Sequence, residues 1–270
     1  MIHSRLFELF VKYRVAPPLC AFLLFLNTAN AILGGISAKT FFCGLSLLVL
    51  SLITYFYDAR FRSREDDINR PEGRGSGQNG WYLLAAALVP VVLLVSAGLW
   101  VPLLYAAVAM FLYSDPGIFP RRLKTIPGIK MLVNVTNFWV AGVLAAALLK
   151  YEFSGELAFS LLRSTVPVLV FIFCITVLLD IRDVTGDREA GVSTLPVMIG
   201  VRASAWLLII LLAASGTSAF ARGQTGVAVF SLGLALFPFF AIKPKSRLYY
   251  EGALAFINVF LGAALVYRLY

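Results

Sequence analysis

The sequence predicts an all-α, multi-pass membrane bundle of about nine transmembrane helices in a single domain spanning residues 1–270. Three observations carry that prediction. The chain is 60% hydrophobic and only 14% charged, with a mean hydropathy of +0.86. Soluble domains run at roughly 45–50% apolar and about 25% charged, so this much apolar surface calls for a bilayer as solvent. The apolar residues fall into runs of span length. The basic residues fall between those runs, alternating from one side to the other.

Taken in order, the predicted spans are roughly 16–36, 41–57, 81–98, 100–114, 129–149, 164–181, 201–220, 225–242 and 250–269. Before the first, residues 4–14 alternate Leu6, Phe7 and Phe10 with Arg5, Glu8 and Lys12. They read as an interfacial amphipathic helix leading into a retained first span, not as a cleaved signal. The third and fourth spans are short and meet at Gly98. Pro90, Pro167 and Pro238 fall inside spans and are expected to kink them. Residues 71–80, rich in Gly and polar side chains, read as a mobile loop.

Orientation follows from Lys and Arg. With the N-terminus in the cytoplasm, the inner loops hold 18 of the 23 basic residues, and Lys39, Lys150, Arg163, Arg222 and Arg268 lie outside. That asymmetry is the positive-inside pattern, and it accounts for the net charge of +9 without nucleic acid as a partner. Cys20, Cys43 and Cys174 all lie in apolar segments and read as packing residues. The only histidine is His3, at the N-terminal edge, which argues against histidine-based catalysis.

Eight of the 14 acidic residues sit in two short stretches, 57–71 and 180–189, four in each. Both are interleaved with arginine, and both face the cytoplasm in this topology, at the ends of spans two and six. Asp180, Asp183 and Asp187, spaced i, i+3, i+7, share one helical face. Three carboxylates there form an oxygen-rich site suited to Mg²⁺, which takes one or two carboxylates together with water and substrate phosphates. Asp180 directly follows an apolar run, a costly place for a charge that has no purpose there. In the first stretch Asp58, Arg62 and Asp66 share a face, flanked by Glu65 and Asp67. That spacing also suits a plain ladder of i, i+4 ion pairs. Asn27 and Asn30, in the first apolar run, are open to two readings, helix packing or substrate contact.

Together the two stretches resemble the paired motifs of the UbiA superfamily of intramembrane prenyltransferases. The run from Asp180 through Gly186, Asp187, Arg188, Gly191, Thr194, Leu195 and Pro196 is similar to that family's second motif, on its sixth helix. Asp66 with Asn69-Arg70-Pro71 resembles the end of its first motif, on helix two. In this register Asp58 stands where the family has asparagine, and Ala59 and Arg62 stand where it has its first two aspartates. Tyr113-Ser114 with Arg122 and Lys124 resembles the loop after its fourth helix.

The resemblance implies a UbiA-like fold and transfer of a prenyl group from an isoprenoid diphosphate to an aromatic or other lipophilic acceptor. It implies Mg²⁺ on Asp58, Asp66, Asp180, Asp183 and Asp187, with Asp58, Asp66, Asp180 and Asp187 as the catalytic carboxylates. It implies Arg70, Lys124 and Arg188 on the diphosphate. Arg62, standing where the family has an aspartate, reads two ways: binding the diphosphate in place of part of the metal's charge, or neutralising Asp58 and Asp66 and lowering metal affinity. An allylic cation would need a dry pocket, and some of the 22 Phe, 11 Tyr and four Trp could face it. A terpene cyclase on the same scaffold, or a transporter or inactive assembly protein, stays open at this level.

Overall fold

The computed structural model of the chain describes residues 15–58, 68–69, 80–114, 126–223, 225–243 and 245–269. The expected amphipathic helix at 4–14, the loop at 71–79, and Arg62, Glu65, Asp66, Asp67, Arg70, Arg122 and Lys124 lie outside those residues.

Among the described residues every ordered element is helical. The order is α1 (Ala16–Leu33), α2 (Ala38–Asp58), α3 (Gly80–Ser96), α4 (Trp100–Ser114), α5 (Ile129–Trp139), α6 (Gly155–Ser164), α7 (Val166–Glu189), α8 (Leu195–Ile199), α9 (Val201–Ala221), α10 (Thr225–Ala241) and α11 (Arg247–Leu269). Helix α5 runs on through a π-helical turn, Val140–Leu144, to Ala147. A helix coincides with each predicted span. Five are long and apolar enough to cross a bilayer alone, and α6 with α7 makes a sixth if that bent pair is one span. The apolar stretches 85–96, 100–113 and 225–241 are shorter, so the count of nine is a count of apolar helices and not of proven crossings.

Three local features differ from the sequence reading. Pro167 does not kink a span: it sits in the first turn of α7, where its missing N–H is no loss. The break falls just before it, where α6 and α7 meet at 71°. Helix α6 lies between the predicted spans at 129–149 and 164–181, where Glu156 and Arg163 interrupt the hydropathy. Those charges suit its ends, with Glu156 in the first turn, Arg163 in the last and the Ser154 hydroxyl accepting from the Leu157 N–H at 3.1 Å. The third difference is that α7 passes the predicted end at 181 and carries the whole acidic motif on the helix.

Packing is tight where small residues allow it. Helix α9 pairs with α10, α11 with α1, α2 with α3, and α7 with both α5 and α9. At the π turn Gly142 lies against Leu24 so closely that a Cβ there would overlap the leucine side chain. The Trp139 indole donates to Thr165 at 2.9 Å, fixing α5 to the α6–α7 bend. Asn27 is a packing residue: its amide donates to Leu23 O at 2.8 Å and across to Leu261 O on α11 at 3.0 Å. Asn258 returns the contact, donating to Ala16 O at 3.0 Å. The three cysteines are buried and free. Outward faces carry Leu88, Val89, Ile210, Phe220 and Val259, all exposed, as a lipid-facing surface requires.

Candidate active site

A cavity of about 260 Å³ opens between α1, α2, α4, α5, α7 and α11. Each helix presents one stripe to it. From α2 come Leu47, Ser51, Thr54 with its neighbour Tyr55, and Asp58, recurring every three or four residues along one face. That stripe spans 12 residues, Leu47 to Asp58, or about 16 Å of helix. From α5 come Lys130, Asn134, Asn137 and Ala141, and from α7 Thr176, Leu179, Asp180 and Asp183.

Charge gathers at one end of the cavity. Asp58 closes α2, Lys130 lies in the first turn of α5 and Arg247 opens α11. Asp180, Arg182, Asp183 and Glu251 join them. Away from that end the lining is mostly small and apolar, with Ala21, Leu47, Leu103, Ala106 and Val140. The shape is that of a tail slot under an ionic mouth.

The ionic groups are paired in a definite pattern. Lys130 Nζ stands 3.1 Å from Asp180 Oδ1 and 2.8 Å from Asp187 Oδ2. Arg182 grips Asp183 with two hydrogen bonds of 2.8 Å and reaches Glu251 at 3.0 Å. This joins α7 to α11. So the three aspartates of one helical face divide between two cations: Asp180 and Asp187 go to Lys130, and Asp183 goes to Arg182. Asp187 is 1% exposed and lies behind the cavity lining; Asp180, 3% exposed, is part of it.

The two motifs meet. Asn69, from the end of the first, accepts a hydrogen bond from the Gly186 N–H in the second, at 3.1 Å. Asp58 and Asp180 line the same cavity. Arg188 is exposed at the end of α7, outside that lining. Neither Asn27 nor Asn30 reaches it, and among the described phenylalanines only Phe138 does, with Tyr55, Tyr105 and Tyr113. Tyr105 and the Thr136 hydroxyl are hydrogen-bonded, joining α4 to α5 beside the slot.

Asp180 tests the fit of a divalent cation. Its Oδ2 is buried and accepts no hydrogen bond, on a side chain at the cavity wall. A buried carboxylate oxygen left in that state is costly unless a cation meets it. Among the described residues no three His, Cys, Asp or Glu side chains close on one point. Mg²⁺ needs no such cage, since it keeps waters and takes substrate phosphates. The donors present therefore fit it.

Sequence reasoning passed over Lys130, Arg182 and Glu251 as site residues. Lys130 counted only as a loop charge, yet with Asn134 and Asn137 it forms an i, i+4, i+7 polar stripe in an apolar helix. Glu251 is an acid inside a predicted span. Both are signals a helical-face reading could have used.

The sequence model of the UbiA prenyltransferase family matches residues 69–264. A rice (Oryza sativa subsp. japonica) protein named probable homogentisate phytyltransferase 2, chloroplastic, is 33% identical over 183 residues. The match covers 63% of this chain and 46% of that protein, so the chain aligns with under half of its relative's length. Among solved structures, a UbiA homolog from Archaeoglobus fulgidus bound to GPP and Mg²⁺ superposes with a TM-score of 0.58 at 14% identity. That likeness covers 96% of this chain and 99% of the other. It is a likeness of fold.

Proposed function

The chain belongs to the UbiA prenyltransferase family, and from that premise we propose that it moves a prenyl group from an isoprenoid diphosphate onto a lipophilic, aromatic acceptor inside the membrane. One observation carries the reading: a single cavity joins a mouth of paired carboxylates and cations to an apolar slot. A prenyl diphosphate has that same division of charge and grease. The GPP and Mg²⁺ named for the Archaeoglobus homolog and the phytyl transfer named for the rice relative agree with it.

The diphosphate lies at the mouth, near Lys130 and Asp180. Asp180, Asp183 and Asp58 would hold Mg²⁺ there, with Asp66 from the first motif, and the ion would supply positive charge against the leaving diphosphate. Arg62, Arg70 and Lys124 are proposed to add to that charge; Arg188, exposed, would act only on the outer edge. The C1–O bond breaks with its electron pair going to the diphosphate oxygen. The allylic cation that remains lies in the slot beside Tyr55, Tyr105 and Phe138, whose ring faces favour positive charge. An electron-rich ring carbon of the acceptor attacks C1, and the ring then loses a proton to restore aromaticity. The apolar walls keep water from taking the cation first. The mouth faces the cytoplasm, as the Lys and Arg distribution favours.

The test is incubation of the full chain in lipid nanodiscs with Mg²⁺, a series of prenyl diphosphates and a series of phenolic acceptors, with mass spectrometry of the lipids. Acceptor mass increased by one prenyl unit supports the reading. Diphosphate release with only cyclised or hydrolysed prenyl products overturns it.

A further inference from the structure

The sequence assigns one metal site to Asp180, Asp183 and Asp187, but in the fold Asp187 is occupied by a lysine 57 residues away in sequence. Lys130 Nζ lies within 2.8 Å of Asp187 Oδ2 and 3.1 Å of Asp180 Oδ1. Asp187 is behind the cavity wall and almost fully buried, while Lys130 and Asp180 line the cavity. The ammonium therefore stands between the hidden carboxylate and the place where substrate enters.

We propose that Lys130 is a resident cation of the second motif. Anchored by Asp187, it takes the position a second divalent ion would need, and it binds the diphosphate directly. This rests on the diphosphate reading above. An ammonium carries three N–H donors. Two reach Asp187 and Asp180, and the third is left for a phosphate oxygen. Lys130 sits in the first turn of α5, where the helix's own partial positive charge also favours an anion. A divalent ion bridging Asp180 and Asp187 would have to occupy the ammonium's place, and like charges at such distances repel strongly. Asp180 Oδ2, which has no hydrogen-bond donor, remains for one Mg²⁺. The site then works with one metal and one fixed ammonium.

The experiment measures binding without turnover, on the full chain in detergent. Mn²⁺ is titrated by electron paramagnetic resonance, and inorganic pyrophosphate by calorimetry with metal absent. Wild type is expected to bind one Mn²⁺ and to bind pyrophosphate measurably without metal. Lys130→Met is expected to bind Mn²⁺ at least about tenfold tighter, or to gain a second ion, because the local charge becomes more negative by one. It should lose metal-free pyrophosphate binding by at least about tenfold. Lys130→Arg should behave as wild type in both. Unchanged Mn²⁺ binding together with unchanged pyrophosphate binding in Lys130→Met would overturn the proposal.

If Lys130→Met yields no folded protein, Lys130→Met/Asp187→Asn removes one charge of each sign and serves in its place. It should lose metal-free pyrophosphate binding and keep the wild-type Mn²⁺ affinity of Asp180; retained pyrophosphate binding would count against Lys130. A wild type that binds pyrophosphate through Lys130 yet transfers no prenyl group would contradict the proposed function while supporting this role.

Discussion

The Gly186 N–H donates to Asn69 Oδ1 at 3.1 Å, so the end of the first motif rests on the backbone of the second across 117 residues of sequence. Gly186 is buried, and a Cβ placed on it would fall into the Asn69 carboxamide. Gly186→Ala is therefore expected to push the two motifs apart. Overpacking of this kind costs about 1–3 kcal/mol, which would appear as a lowered melting temperature in detergent and reduced diphosphate release. Gly155→Ala, where a Cβ meets nothing within 4 Å, is the control and should melt as wild type does.

Arg182 holds Asp183 and Glu251 together, and its side chain is only 11% exposed. Arg182→Met removes the cation that Asp183 and Glu251 share, while Arg247 stays 3.9 Å from Glu251, a change worth on the order of 3–5 kcal/mol of stability. Adding Glu251→Gln should recover part of the loss, because it removes one of the two negative charges that Arg182 balances. A double-mutant cycle by thermal melting reads this coupling directly. Strict additivity would show that the Arg182–Glu251 contact at 3.0 Å does not hold α7 to α11.

The π turn at Val140–Leu144 brings Gly142 against Leu24 on α1. Gly142→Ala is expected to destabilise the α1–α5 contact by about 1–3 kcal/mol. Leu24→Ala in the same background should relieve that clash, so the double variant should lose less stability than the two single losses added together. Strict additivity would contradict the close approach.

Much of this fold was legible in one dimension because the bilayer forces it. The spans predicted at 16–36, 41–57, 201–220 and 250–269 from run length alone each meet a helix long enough to cross, since every backbone polar group in lipid must be satisfied within the segment. Helix α6 was not legible, because Glu156 and Arg163 break its hydropathy while stabilising its ends. Nor was the end of α7: a hydropathy window stops at Asp180, but the helix continues to Glu189 because Lys130 and Arg182 neutralise its acids. The acidic motifs themselves were visible by spacing. Their partition between Lys130 and Arg182 was not, since Lys130 meets Asp187 over 57 residues and no local pattern carries such a pairing.

The slot sets which prenyl chains fit. Ala106 and Ala109 line it from α4, and a larger side chain there would fill space the tail needs. Ala106→Phe is expected to shift preference toward shorter prenyl diphosphates, with the ratio of kcat/KM for short over long chains rising by at least about tenfold. Competition between a short and a long prenyl diphosphate, read by product mass, measures it. An unchanged ratio would place the tail elsewhere.

Asp180 is where the cavity, the buried carboxylate and the Lys130 contact coincide. The most direct measurement is therefore diphosphate release from a prenyl diphosphate, with and without Mg²⁺, by wild type and by Asp180→Ala in lipid nanodiscs. The account predicts Mg²⁺-dependent release by wild type and a loss of at least about a hundredfold in the variant. Release by Asp180→Ala at the wild-type rate, with the same Mg²⁺ dependence, would contradict it.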